Sequence, residues 1–272
     1  MRLGIHGSVR NGLVQALDEA RQAGCETMQM LPYRRHGVPD GEELARFRSG
    51  LRKSPVRSLL VHSRFVPSLA SSDEKRRARS VELLAFELGL AGELGAELYV
   101  LHAGAYSPGG TAEDGLKKAA ESINLAVGQA GYKGRILIEN VPGGGRRLCG
   151  SLEEIAGLRE SLRIPSGVCL DTAHAWAAGY DLSSVEGALK FVARAHKLFG
   201  DDVAAFHLND SGALLGSRQE HHEHWGKGRL GKEGIAALLA RPEYAETPAI
   251  VETPKTPGGD QANLAFLAKL RG

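Results

Sequence analysis

The sequence has few cysteines, no long apolar run and no excess of charge of either sign. Its three cysteines, Cys25, Cys149 and Cys169, show no paired spacing, so we expect no disulfide framework and a reducing compartment. No window approaches the roughly 18 consecutive apolar residues of a membrane span. The first residues enter a strand pattern with no signal-type apolar region. We therefore expect a cytoplasmic protein that does not contact membranes.

The charges nearly balance, since 34 Lys and Arg against 32 Asp and Glu leave a formal net charge of +2. This excludes a chain-wide basic surface, so any contact with phosphate must come from local patches. The chain also lacks a Gly-, Ser- or Pro-rich stretch long enough to separate domains. We therefore expect residues 1–272 to form a single domain.

Short apolar segments alternate with longer amphipathic ones along the whole chain. Each of eight predicted strands is followed by a helix, and an apolar strand without alternation is typical of a parallel sheet that is buried on both faces. The glycine-rich turn of an open dinucleotide-binding sheet is absent after the first strand. The pattern predicts a single (β/α)₈ TIM barrel, with strands at Arg2–His6, Cys25–Leu31, Arg57–Val61, Glu97–Leu101, Arg135–Ile138, Val168–Leu170, Val203–Phe206 and Ala249–Val251.

Six of these strands run directly into a histidine or a carboxylate. The carboxyl ends of barrel strands meet on one face, where the active sites of barrel enzymes lie, and imidazole with carboxylate suits zinc or manganese. A single histidine at a strand end is more often a capping or hydrogen-bonded residue, but six such ends together predict a metal site at the C-terminal face. The residues are His62, His102, Glu139, Asp171, His207 and Glu252.

Two further features suggest more than one metal ion. His174 follows Asp171 by three residues, and the segment after the seventh strand carries Glu220 and His222 in a run of acidic residues and histidines. That segment is too long for an ordinary strand-to-helix connection, which indicates a functional loop. One zinc ion accepts about four or five ligands, so this surplus implies two or three ions.

Four segments resemble signature stretches of the endonuclease IV family of apurinic/apyrimidinic endonucleases. They are LIENVPGGG, LDTAHAWAAGYDL, FHLNDSGALLGSRQEHHEHWGKGRLG and IVETP, and a weaker similarity extends over the whole chain. The resemblance implies a three-zinc barrel, with manganese as a partial substitute for zinc, that acts on double-stranded DNA. It implies hydrolysis of the phosphodiester 5′ to an abasic site, which leaves a 3′-hydroxyl and a 5′-deoxyribose phosphate, and a monomeric protein.

The same resemblance implies a role for each predicted ligand. His62, His102 and Glu139 would hold a first zinc, and Glu139 would bridge, as the central catalytic ligand, to a second zinc. Asp171, His207 and Glu252 would complete the second site; His174, Glu220 and His222 would hold the third. His6, Asn209 and Asp210 would support these ligands without binding metal.

The resemblance also implies DNA contacts from the loops on the metal face. Basic residues there would hold phosphates, and Phe65 with Val66 would form an apolar wedge where the family has tyrosine and leucine. Other departures are Glu220 in place of an aspartate, a shorter loop after the second strand, and HAGAY in place of HPGS after the fourth. The expected DNA-binding residues are Arg34, Arg35, Arg64, Phe65, Val66, Arg146, Arg218 and Lys227.

Two other functions remain open at this level. A sugar isomerase or epimerase of the xylose-isomerase-like barrels uses a Glu, Asp, His and Glu set around one or two divalent metals, and Glu139, Asp171, His207 and Glu252 satisfy it. A DNA-binding relative without activity is the third alternative. The additional ligands His62, His102, His174, Glu220 and His222 favour the nuclease, because an isomerase has no evident use for them.

Overall fold

Eight parallel strands close into a barrel in the computed structural model, which describes residues 1–272. The strands, in chain order, are β1 (Arg2–Gly7), β2 (Thr27–Met30), β3 (Ser58–His62), β4 (Leu98–Leu101), β5 (Arg135–Glu139), β6 (Ser166–Asp171), β7 (Val203–His207), β8 (Asp210–Ser211), β9 (His222–Glu223) and β10 (Pro248–Val251). The barrel consists of β1 to β7 and β10, and β1 closes it by pairing with both β2 and β10. The predicted TIM barrel is confirmed.

Helices follow the barrel strands and cover their outer surface. They are α1 (Leu13–Gln22), α2 (Gly41–Arg52), α3 (Glu74–Leu94), α4 (Ala112–Ala130), α5 (Leu152–Glu160), α6 (Thr172–Ala178), α7 (Val185–Phe199), α8 (Glu233–Leu239) and α9 (Gly259–Arg271). Side-chain caps set several of the helix starts: Asp73 caps α3 and Ser151 caps α5. No helix is both long and apolar enough to cross a membrane.

Two elements differ from the sequence prediction. The helix α6 follows β6 at once, because Asp171 ends the strand and accepts a hydrogen bond from the His174 N–H at 2.7 Å, which caps the helix. The long segment after β7 folds back on itself through the antiparallel pair of β8 and β9. Both elements lie on the face where the strands end, and both bring predicted metal ligands toward it.

The apolar core has two parts. The larger part, 62 buried residues, lies mainly between the strands and the helices. The smaller part fills the inside of the barrel with one residue from each of six strands: Leu60, Val100, Leu137, Cys169, Ala205 and Ile250. The candidate site lies next to this inner core, at the carboxyl ends of the same strands.

Candidate metal centre

Each predicted ligand at a strand end lies two residues after a residue of the inner core. Since side chains in a strand alternate between faces, the residue two positions further along also points into the barrel, one layer higher. Leu60 is followed in this way by His62, and Leu137 by Glu139. The same step leads from Val100, Cys169, Ala205 and Ile250 to His102, Asp171, His207 and Glu252. The strand period and the closure of the barrel thus bring these six side chains into one polar layer.

The first group of donor atoms consists of His62, His102 and Glu139, whose ligand atoms lie within 4.8 Å of one another. Glu139 Oε2 is 3.1 Å from His62 Nε2 and 3.4 Å from His102 Nε2. The other ring nitrogen of His62, Nδ1, donates to the carbonyl of Ser63 at 2.8 Å. The Nε2 lone pair of His62 is therefore available to a metal ion.

The second group contains Glu139, Asp171, His207 and Glu252. The second oxygen of Glu139, Oε1, lies 2.9 Å from His207 Nδ1, and Glu252 Oε2 lies 3.1 Å from the same nitrogen. Because its two oxygens face different groups, the Glu139 carboxylate has the geometry of a bridge between two ions.

The third group joins His174 and His222, whose Nε2 atoms are 3.3 Å apart. His174 Nδ1 donates to the carbonyl of Asn140 and His222 Nδ1 to that of Glu252, so neutral rings would point two lone pairs at each other. A cation between the rings, either a metal ion or a proton, removes this repulsion. Asp171 contacts this group as well, with Oδ2 3.5 Å from His222 Nε2. Glu220 lies at its edge, 3.8 Å from His174 Nε2, with its side chain 59% exposed.

The electrostatics of the site fit bound cations. Glu139 and Asp171 are fully buried, and the ion pairs of Glu139, Asp171 and Glu252 all involve histidine, never lysine or arginine. Burial by itself would raise the pKa of Glu139, but the facing imidazoles of His207 and His102 hold that pKa well below its usual value. Burial lowers the pKa of His102 to about 4, which keeps this ring neutral and able to bind metal.

Three residues were predicted to support the ligands, and two of them contact the donor atoms. Asn209 is buried; it donates to Asp171 Oδ2 at 2.7 Å and accepts from the Glu252 N–H at 2.8 Å. His6 lies 3.1 Å from Glu252 Oε1. Asp210 has a different role, because it accepts from the N–H groups of Ser211, Gly226, Gly228 and Leu230 and thereby shapes the loop after β7.

Two supporting residues were missed at the sequence level. Gln29, fully buried on β2, accepts from His207 Nε2 at 2.9 Å and donates to Glu252 Oε1 at 2.6 Å. Asn140 exchanges two hydrogen bonds with the backbone of Asp171 and accepts from His174 Nδ1. The signal for Gln29 was present, since a glutamine inside the apolar strand TMQM needs a buried polar partner.

Replacement of Gln29 by leucine should weaken binding of a divalent metal ion by about 10- to 100-fold, the usual effect of losing a residue that orients a metal ligand. The leucine removes both the acceptor for His207 Nε2–H and the donor to Glu252. The affinity for the metal ion is measured by competition with a chromophoric chelator, and Gln129→Leu, at an exposed position of α4, is the matched control. Unchanged metal affinity in Gln29→Leu would contradict the orienting role.

The predicted DNA-binding residues lie in several loops that follow the barrel strands. Arg34, Arg35 and Arg64 line one cavity beside the metal centre. Arg146 and Arg218 lie in the loops after β5 and β7, which Arg147 connects by donating to the carbonyl of Arg218. Phe65 and Val66 are 54% and 63% exposed, and Lys227 is exposed. DNA contact by these residues remains a prediction.

Comparison with known proteins shows full-length similarity. A family described as xylose isomerase-like TIM barrel matches residues 17–270. A protein of Solibacter usitatus named probable endonuclease 4 is 34% identical and aligns with 100% of this chain and 97% of its own length. Its namesake from Halothermothrix orenii is 32% identical over 96% of each chain.

Solved structures show the same relationship. The endonuclease IV of Thermus thermophilus has a TM-score of 0.87 and 29% identity, covering 99% of this chain and 98% of that one. A D-tagatose 3-epimerase-like protein has a TM-score of 0.79 at 18% identity, covering 99% and 97%. The second likeness concerns the fold alone.

Proposed function

The chain belongs to the endonuclease IV family of xylose isomerase-like TIM barrels, and from this premise we propose that it is a zinc-dependent endonuclease that incises DNA at abasic sites. The reaction is hydrolysis of the phosphodiester 5′ to the lesion. The bond between phosphorus and the 3′ oxygen breaks, and the products are a 3′-hydroxyl and a 5′-deoxyribose phosphate. The expected substrate is double-stranded DNA.

The observation that carries this proposal is the third group of donor atoms. His174 and His222, with Asp171 and Glu220 beside them, lie next to the Glu139, Asp171, His207 and Glu252 set. A sugar isomerase needs only that set of four, so the adjoining histidines point to a phosphodiester that is contacted at several oxygens. The proposed ligands of three zinc ions are those expected from the sequence, with Asp171 placed between the second and third groups.

The residues of the chain would divide the work as follows. Glu139 holds one oxygen toward each of the first two groups and fixes their spacing. Zinc ions in these groups would supply an activated water near neutral pH and neutralise the charge that develops on the phosphate. His174, His222 and Glu220 would hold the third ion on the outer side of the site, where it would contact the scissile phosphate. Asn209 and Gln29 keep Asp171, His207 and Glu252 in position.

An epimerase activity is the second candidate, because the group of Glu139, Asp171, His207 and Glu252 is complete, with three members buried and Glu252 half-buried. It would need one or two divalent ions and a ketose that enters the mouth of the barrel. The rim favours the nuclease, since Arg34, Arg35 and Arg64 line a cavity that adjoins the metal centre and contains no carboxylate.

Incubation with a duplex that carries a single tetrahydrofuran abasic analogue tests the proposal. Zinc-loaded protein should cut the lesion strand once and leave a 3′ end that a polymerase extends, whereas an undamaged duplex of the same sequence should stay intact. Ketose epimerisation is assayed on the same sample. An uncut lesion strand together with ketose turnover would assign the chain to the epimerases.

A further inference from the structure

A buried carboxylate on α3, Glu87, lies outside the three groups of donor atoms. Its side chain is 1% exposed, and three hydrogen bonds converge on it. Its Oε2 accepts from the Tyr99 hydroxyl at 2.7 Å and from the Arg64 backbone N–H at 3.0 Å, and its Oε1 accepts from the Tyr33 hydroxyl at 3.2 Å. Burial of a carboxylate is costly unless it is hydrogen-bonded, and these three bonds supply that compensation.

The surroundings of Glu87 suit its ionised form. All three neighbours present a hydrogen to its oxygens, which is the arrangement that a charged carboxylate requires. Burial raises the pKa of Glu87, and the hydrogen bonds from Tyr99, Arg64 and Tyr33 oppose that rise. The contacting donors are two hydroxyl groups and a backbone amide. They are neutral, so the negative charge is not cancelled where it lies and acts on groups further away.

The peptide group between Ser63 and Arg64 connects Glu87 with the metal centre. Its N–H is the one that donates to Glu87, and its carbonyl, that of Ser63, accepts from Nδ1 of His62 at 2.8 Å. A chain of hydrogen bonds therefore runs from the carboxylate through one peptide group to the imidazole. Since hydrogen bonds in a chain polarise one another, the charge of Glu87 makes the Ser63 carbonyl a stronger acceptor.

We infer that Glu87 is a positioning residue for the first metal group and acts on His62 through the Ser63–Arg64 peptide. A stronger acceptor at Nδ1 holds the ring in the tautomer whose Nε2 lone pair faces the metal site, and it makes that nitrogen a better ligand. The inference rests on the proposed function, because it assumes a metal ion held by His62, His102 and Glu139.

Glu87→Gln tests the inference, because glutamine has the same shape and keeps an oxygen for the Tyr99 and Arg64 donors but carries no charge. The affinity of the first group for zinc should fall about 10-fold, the lower end of the usual effect of losing a residue that supports a ligand, since a peptide group intervenes. Competition with a chromophoric chelator measures the affinity. Glu82→Gln, which removes an exposed carboxylate from the same helix, is the matched control.

A double-mutant cycle separates positioning from a general loss of stability. His62→Ala removes the ligand through which Glu87 acts, so Glu87→Gln should cause no further loss of zinc affinity in that background, whereas a general loosening of the fold would still weaken the remaining sites. Glu87→Asp is the second variant. It keeps the charge, but its shorter side chain withdraws the carboxylate from the Arg64 N–H, and its zinc affinity should fall as well.

Zinc affinity equal to that of Glu82→Gln in both Glu87 variants would overturn the inference, as would an equal loss with and without His62. Incision of the abasic duplex separates this outcome from the proposed function. A wild type that cuts the duplex, with Glu87 variants that bind zinc normally, keeps the proposed function and removes the positioning role. A wild type that leaves the duplex uncut, but whose zinc affinity depends on Glu87 and His62 together, does the reverse.

Discussion

Glu139→Gln is expected to lower the rate of incision by about 10³-fold or more, beyond the 10- to 100-fold that follows loss of a residue that only orients a ligand. Glutamine replaces one bridging oxygen with an NH₂ group, which repels a cation and leaves the imidazoles of His62 and His102 or of His207 without their carboxylate. Duplex binding should persist, because the rim arginines are untouched. Single-turnover incision and fluorescence anisotropy with labelled duplex measure the two quantities.

Gln29→Leu is the comparison variant for this experiment. Gln29 contacts His207 and Glu252, but its replacement removes no atom that would bind a metal ion. Its loss of activity should therefore be at least tenfold smaller than that of Glu139→Gln. Near-normal incision by Glu139→Gln, or equal losses in the two variants, would refute the bridging role. Thermal unfolding of both proteins checks that neither loss is due to misfolding.

Elemental analysis of zinc-saturated protein should show three equivalents per chain, and removal of the metal by exhaustive dialysis against chelator should abolish incision until zinc is restored. His222→Ala should retain two equivalents, because His222 contributes to the third group only. Asp171→Asn should lose more than one, since its carboxylate contacts both the second and the third group. The Asp171 variant is the sharpest test of how the groups are divided.

One equivalent in the wild type would exclude the three-zinc site and favour the epimerase alternative. Two equivalents in the wild type, with only one in His222→Ala, would mean that the second and third groups share a single ion. Manganese is measured on the same samples, which shows whether it replaces part of the zinc.

The basic residues in the loops at the strand ends show what the sequence pattern predicted and what it missed. Arg34, Arg35 and Arg64 were expected to face DNA because they are basic and lie in loops at strand ends. The structure places them around one cavity, but Arg34 is bound to Glu43, and Arg10 and Lys255 complete the lining without having been predicted. An ion pair between loop and helix, or a cavity between three loops, leaves no periodic trace in a sequence.

The sequence by itself determined the barrel and the histidines and carboxylates at its strand ends. Buried strands alternate with capped helices, and each of these candidate ligands follows its inner-core residue by two positions, as from Leu137 to Glu139. These are local regularities, since strand geometry repeats every two residues.

The tertiary structure alone decided which donors share a group and what orients them. Closure of the barrel brings His6 within 3.1 Å of Glu252, 246 residues away, and places Gln29 between His207 and Glu252. Asp171 caps the start of α6, and this turn of the chain places His174 next to His222. Asp171 therefore belongs to both the second and the third group of donor atoms. Such contacts depend on the strand order and the stagger of a closed sheet, which no short segment of the chain encodes.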